Sequence, residues 1–310
     1  GNVLFLQAMR YIDAHTHAHF AAFKDDWREV ISRALEAGVA VVNVGTQKDT
    51  SRRAVEVAHE FESGVYACVG LHPIHSGKSF YDAEELGDLP DGKGFTTRGE
   101  DFDYDYYKKL ALDPRVVAIG ECGLDYYRLL QSANSSAKGG SSLGGKSQIE
   151  KQKEAFIKQI ELANDVKKPL MIHCREAFSD LIDVLNSKFS ILNSRAAGIV
   201  HFFTGTSNDA KKLLDLGFYF TFGGVVTFPP KADQPPSGTY NEVIKMIPID
   251  RILSETDAPY VTPEPYRGKR NEPLYVVEVV KKLAEIKGVS TEEMADKIME
   301  NVREVLGIRF

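Results

Sequence analysis

Eight apolar runs of strand length, separated by stretches of helical spacing, predict an α/β fold, a single-domain (β/α)8 TIM barrel. Several of these runs are apolar on both alternating faces, as parallel strands covered on both sides must be. Length agrees, because 310 residues suit one barrel with insertions, and eight β/α alternations favour closure over a doubly wound open sheet.

In chain order the strands are expected at YIDAH (11–15), VAVVNVG (39–45), VYACVGLH (65–72), VVAIGE (116–121), PLMIHC (169–174), GIVHFF (198–203), FYFTFG (218–223) and RILSET (251–256). Segments 24–37, 49–62, 150–166, 206–216 and 273–287 carry helical spacing. The clearest is EKQKEAFIKQIELAND, where Ala155, Phe156, Ile160 and Ala163 share one stripe with charges opposite. Two stretches break the rhythm. Residues 76–104 form a polar, Gly-rich excursion that reads equally as a lid or as an inert loop. The Ser/Gly-rich insertion 129–147 has too little apolar content to pack and reads as disordered. Residues 1–8 read as an expression remnant before Met9, so the domain is taken as 9–310.

A hydrophobic content of 43% with 26% charged residues supports a sizeable core that needs no disulfides. Cys68, Cys122 and Cys174 sit in or beside apolar runs without zinc-type spacing, and read as buried free thiols. No run approaches the about 18 apolar residues of a membrane span, and no basic-then-apolar leader is present, so a cytoplasmic address is expected. A net charge of −6 excludes a broad basic surface that coats nucleic acid, but not a local cationic site. No obligate protein partner is indicated.

In a barrel the strand C-terminal ends converge on one rim. Those ends carry His15 and His17, His72, Glu121, His173, His201 and, beyond the eighth strand, Asp257. Any one histidine reads more readily as structural, whereas this many polar ends of separate apolar runs read as a site. A strand repeats every two residues, so His15 and His17 project from one side and can share an ion. His19 shares that period, and strand geometry does not rank the three. Four histidines with two carboxylates exceed one tetrahedral shell. They suit two divalent metal ions, with Glu121 between them and a bridging hydroxide as nucleophile. Zinc, manganese and magnesium all remain open as the metal.

The motifs DAHTH, GLHP, IGECGLDYY, IHCRE, HFFTG, SETDAPY and RGKRNEP occur in an order and spacing that resembles the TatD-like metal-dependent deoxyribonucleases, a branch of the amidohydrolase superfamily. The resemblance spans about residues 10–308. It implies that His15, His17, Glu121 and Asp257 hold one metal and that Glu121, His173 and His201 hold the other. It also implies that His19 lies past the strand end as a rim residue. The fourth strand ends in Glu121 rather than a carboxylated lysine, which sets the chain apart from dihydroorotase-like and phosphotriesterase-like enzymes. The two long interruptions, and Phe202 where many members have Cys, depart from the family pattern.

The implied activity is deoxyribonuclease hydrolysis, with exonucleolytic attack on single-stranded or frayed DNA favoured because a small basic patch grips few phosphates. Arg175 can offer a fork to a phosphate oxygen, and Tyr126, Arg267, Arg270 and Asn271 are expected in loops facing the same rim. Phe202, Phe203, Phe222, Phe228 and Tyr260 offer faces for stacking or, for most of them, for the core. In the expected mechanism the hydroxide attacks phosphorus, Asp257 holds or accepts its proton, and His72 stabilises the phosphate or departing oxygen. The alternative is an amidohydrolase or a small-molecule phosphoesterase on the same barrel. A barrel without turnover is disfavoured because all six ligands are present.

Overall fold

The computed structural model describes residues 9–77, 99–127, 129–130, 143–188, 197–229 and 238–310. Residues 1–8, most of the 76–104 excursion and most of the 129–147 insertion lie outside the described residues. All eight expected strands form: β1 (Tyr11–Thr16), β2 (Val39–Val44), β3 (Val65–Val69), β4 (Val116–Asp125), β5 (Leu170–Arg175), β6 (Gly198–Val200), β7 (Phe218–Phe222) and β8 (Ile252–Ser254). They lie in sequential order, each parallel to the next.

The barrel closes between β8 and β1 through side chains and loop backbone. Ser254 Oγ donates to the Ile12 carbonyl at 3.0 Å, the Thr256 N–H to Asp13 Oδ1 at 2.8 Å and the Asp257 N–H to the His15 carbonyl at 3.0 Å. The same seam therefore fixes where Asp257 stands relative to His15.

Helices α1 (Trp27–Glu36), α2 (Lys48–His59), α3 (Tyr104–Ala111), α4 (Leu143–Val166), α5 (Phe178–Lys188), α6 (Ser207–Asp215), α7 (Gly238–Met246), α8 (Val276–Lys287) and α9 (Thr291–Leu306) surround the strands. The predicted stripe on α4 is buried at Ala155, Phe156, Ile160 and Ala163 and packs in the main core cluster with β4 residues. Caps fix several helix ends: Asp103 accepts from the Tyr106 N–H at α3, and Thr206 and Asp209 form a capping box at α6. Cys68, Cys122 and Cys174 are free and buried. Among the described residues no helix is long and apolar enough to cross a membrane.

Two bulges shape the mouth. Between Asp13 and Thr16, β1 advances three residues while β2 advances two, from Val41 to Asn43. Between Ile119 and Cys122, β4 likewise advances three while β5 advances two, from Leu170 to Ile172. An extra residue re-aims the side chains beside it, so His15 and Glu121 both sit where the strand departs from strict alternation. Gly120 permits the second bulge: its φ is 153°, and a Cβ there would stand 2.2 Å from the Met171 carbonyl oxygen. The fourth strand consequently runs on to Asp125 instead of ending at Glu121 as expected.

Candidate metal centre

Glu121 is the hub. Its carboxylate is buried on all sides and faces two histidine groups with different oxygens. Oε2 lies 3.5 Å from His15 Nε2 and 3.8 Å from His17 Nε2. Oε1 lies 3.0 Å from His173 Nδ1, 2.9 Å from His201 Nε2 and 3.2 Å from His72 Nε2. Burial alone would raise the Glu121 pKa, but the charge of His201 and hydrogen bonds from His15 and His173 hold it well below the usual carboxylate range. Asp257 behaves likewise: burial opposes its charge, and the hydrogen bond and charge of His17 win, so it is ionised at neutral pH.

Hydrogen bonds fix which imidazole nitrogens are available to a metal. His17 Nδ1 donates to the Val44 carbonyl at 2.7 Å, which leaves the Nε2 lone pair facing Asp257 Oδ1 at 3.3 Å and His15 Nε2 at 3.3 Å. His173 Nε2 donates to Asp125 Oδ2 at 2.9 Å, leaving the Nδ1 lone pair toward Glu121 and, at 3.2 Å, His201 Nε2. Against burial, the carboxylates beside them raise the pKa values of His17, His173 and His201, so these nitrogens hold protons that a divalent ion would displace. Ligands about 2.1 Å from a common ion stand roughly 3.0–3.4 Å apart. The shortest separations in each group match that spacing, so the donor set fits divalent metal. His15, His17 and Asp257 form one cluster capable of holding an ion, His15, Glu121 and His201 another, and His72, Glu121 and His173 a third.

His72 differs. Its Nδ1 accepts the Ile74 N–H at 3.1 Å, so the neutral ring carries its proton on Nε2 and presents a donor, not a lone pair. Burial pushes its pKa down to about 4, which keeps it in that neutral form. His19 is buried past the end of β1, with Nδ1 3.3 Å from Asn43 Oδ1 and outside the metal-capable groups.

A cavity of about 540 Å³ opens over these groups, lined among others by Phe20, His72, Tyr127, Arg175, Phe202 and Tyr260. Arg175 is exposed, its guanidinium 3.6 Å from the centre of the Tyr127 ring. The remaining expected substrate contacts are placed elsewhere. Tyr126 is buried and donates its hydroxyl to Asp180 at 2.8 Å, and its neighbour Tyr127 takes the cavity. Asn271 is fully buried and ties the Thr256 and Tyr260 carbonyls together, so direct contact with substrate is closed to it. Arg270 forks onto Asp26 and packs over Phe23, while Arg267 packs over Phe228 outside the cavity lining. Phe203 and Phe222 belong to the core.

Three residues beside the metal-capable groups are not among those the sequence singles out. Asp125 was hidden by the assumed end of the fourth strand. Tyr127 lost to Tyr126 because the side-chain phase after a bulge is not visible in the string. Glu255, wholly buried, accepts from Thr221 Oγ1 at 2.5 Å and the Phe202 N–H at 2.8 Å, and its Oε2 lies 3.7 Å from His201 Nδ1. An acidic residue two before Asp257 was the available signal.

A parallel eight-stranded barrel with histidines and carboxylates gathered at its mouth defines a metal-dependent hydrolase. The family model described as TatD related DNase matches residues 12–307, and the chain belongs to that family. It is 36% identical over 297 residues to the uncharacterized metal-dependent hydrolase YabD of Bacillus subtilis, covering 96% of this chain and 98% of that one. It is 32% identical over 286 residues to the 3'-5' ssDNA/RNA exonuclease TatD of Pantoea vagans, covering 91% and 93% respectively. Among solved structures, the TatD homologue YjjV from Escherichia coli superposes with a TM-score of 0.74 at 25% identity, covering 97% of this chain and 99% of that one.

Proposed function

We propose that this hydrolase removes nucleotides from the ends of single-stranded or frayed DNA, using two divalent ions, in the cytoplasm. The carrying observation is the cavity over the metal-capable groups: its volume lies in the roughly 300–1,000 Å³ range of sites that hold one small ligand, a size that suits one terminal nucleotide. The name of the Pantoea vagans relative supports a nucleic-acid strand as substrate.

His15, His17, Asp257 and Glu121 hold one ion, and Glu121, His173 and His201 the other. Zinc, manganese or magnesium bound there supplies positive charge for the phosphate oxygens and lowers the pKa of water near them. The chain's own groups do the rest. Asp257, ionised and partly open to the cavity, takes the proton of the attacking water. His72 presents its Nε2–H to the phosphate or the departing oxygen. Arg175, propped on Tyr127, offers its guanidinium edge to a phosphate of the strand. Phe20, Phe202 and Tyr260 line the path with faces suited to a terminal base.

A panel of single-stranded DNA, duplex DNA, RNA, a nitrophenyl phosphodiester and dihydroorotate, each with and without chelator, tests this reading. Chelator-sensitive cleavage highest on single-stranded DNA is expected; preference for dihydroorotate or the small phosphodiester contradicts it. His15→Ala is expected to lose bound metal, whereas His19→Ala keeps the wild-type content in elemental analysis. Wild-type metal content in His15→Ala would remove His15 from the ligand set, and loss in His19→Ala would add His19 to it.

A further inference from the structure

The two sides of the metal centre are backed differently. Behind His17 stands a backbone carbonyl, that of Val44, and His15 Nδ1 is buried without a hydrogen-bond partner among the described residues. Behind the other two histidines stand carboxylates. Asp125 Oδ2 accepts from His173 Nε2 at 2.9 Å. His201 Nδ1, like His15 Nδ1, makes no hydrogen bond among the described residues, but Glu255 Oε2 lies 3.7 Å from it and acts on it through charge.

Both carboxylates are held in place before any ligand arrives. Asp125 Oδ1 takes the Tyr127 N–H at 3.0 Å, and its backbone is clamped by Gln152 of α4, which accepts from the Asp125 N–H and donates to its carbonyl, both at 2.9 Å. Both oxygens of Asp125 are thereby held by protein groups. Glu255 is pinned by Thr221 and by the N–H of Phe202, a residue at φ 45°. A carboxylate hydrogen-bonded behind a ligating imidazole, as Asp125 is behind His173, fixes ring and tautomer, and a nearby negative charge, as Glu255 is to His201, raises the ring's basicity.

We infer that Asp125 and Glu255 are positioning residues for the His173–His201 side alone, so that the two ions of the centre depend unequally on the outer layer of carboxylates. The inference rests on the two-ion reading above. It implies that neutralising either carboxylate loosens one ion and spares the other, although neither residue touches metal.

Zinc-buffered titration with elemental analysis tests it on the full chain. The wild type takes up two Zn²⁺ per chain. Asp125→Asn and Glu255→Gln each weaken one of them roughly 10- to 100-fold and leave the other unchanged. In a His15→Ala background, where only the ion on Glu121, His173 and His201 remains, adding Asp125→Asn weakens that remaining ion by the same factor. Wild-type zinc uptake in both carboxylate variants, or equal weakening of both ions, overturns the inference. So does failure of both variants to fold, read by circular dichroism, because the carboxylates are then structural. A wild-type chain that takes up one ion removes the two-ion reading and the inference with it, and that result is visible before any variant is made.

Discussion

Asp257→Asn lowers turnover on single-stranded DNA by about 10²–10⁴-fold, the range of a lost general acid or base. The substitution keeps the side chain's size and removes its charge, and with it the proposed acceptor of the water's proton. Asp257 is placed by its backbone, whose N–H donates to the His15 carbonyl at 3.0 Å, and by the Asn271 side chain bonded to the carbonyls of Thr256 and Tyr260. None of those contacts uses the Asp257 carboxylate. The variant therefore folds, and its thermal unfolding stays close to wild type. Initial rates at saturating strand, alongside an unfolding scan, check this. Near-normal turnover in a folded variant takes the proton-accepting role away from Asp257.

Glu121→Ala has a larger effect, on metal as well as rate. One oxygen of Glu121 faces His15 and His17 and the other faces His173, His201 and His72, so a single truncation strips a carboxylate from both groups at once. Five imidazoles are left with Asp257 as the sole inner carboxylate, a poorer site for divalent cations. Elemental analysis is expected to show metal falling well below the wild-type content, and turnover to fall further than in Asp257→Asn. Full retention of both ions excludes Glu121 as the bridge. Glu121→Gln keeps the volume and separates loss of charge from the cavity that alanine leaves.

Much of this architecture was legible in the string. Buried parallel strands are apolar on both faces, so their runs stand out even at the three residues of β6 and of β8. The metal-capable residues were legible because a barrel sends every strand end to one rim, which makes polar residues at the ends of separate apolar runs meaningful together. What failed was phase. Sequence alternation does not show a bulge, so Glu121 read as the end of a strand that in fact continues for four residues to Asp125. That error hid the carboxylate behind His173 and shifted the cavity tyrosine by one position. Asn271 and Arg270 were misplaced for a related reason. Adjacency in a loop gives no direction, and their side chains are spent on the Thr256–Tyr260 segment and on Asp26. Glu255 lies beside Asp257 in the chain, yet backs His201 across the mouth.

Digestion of end-labelled single-stranded DNA, followed in parallel with and without chelator and after divalent metal is restored, weighs metal dependence and strand-end attack together. Stepwise release of the terminal nucleotide is expected, abolished by chelator and recovered with added zinc, manganese or magnesium. Cleavage that persists undiminished in chelator, or a metal-loaded enzyme that leaves the strand intact, contradicts it.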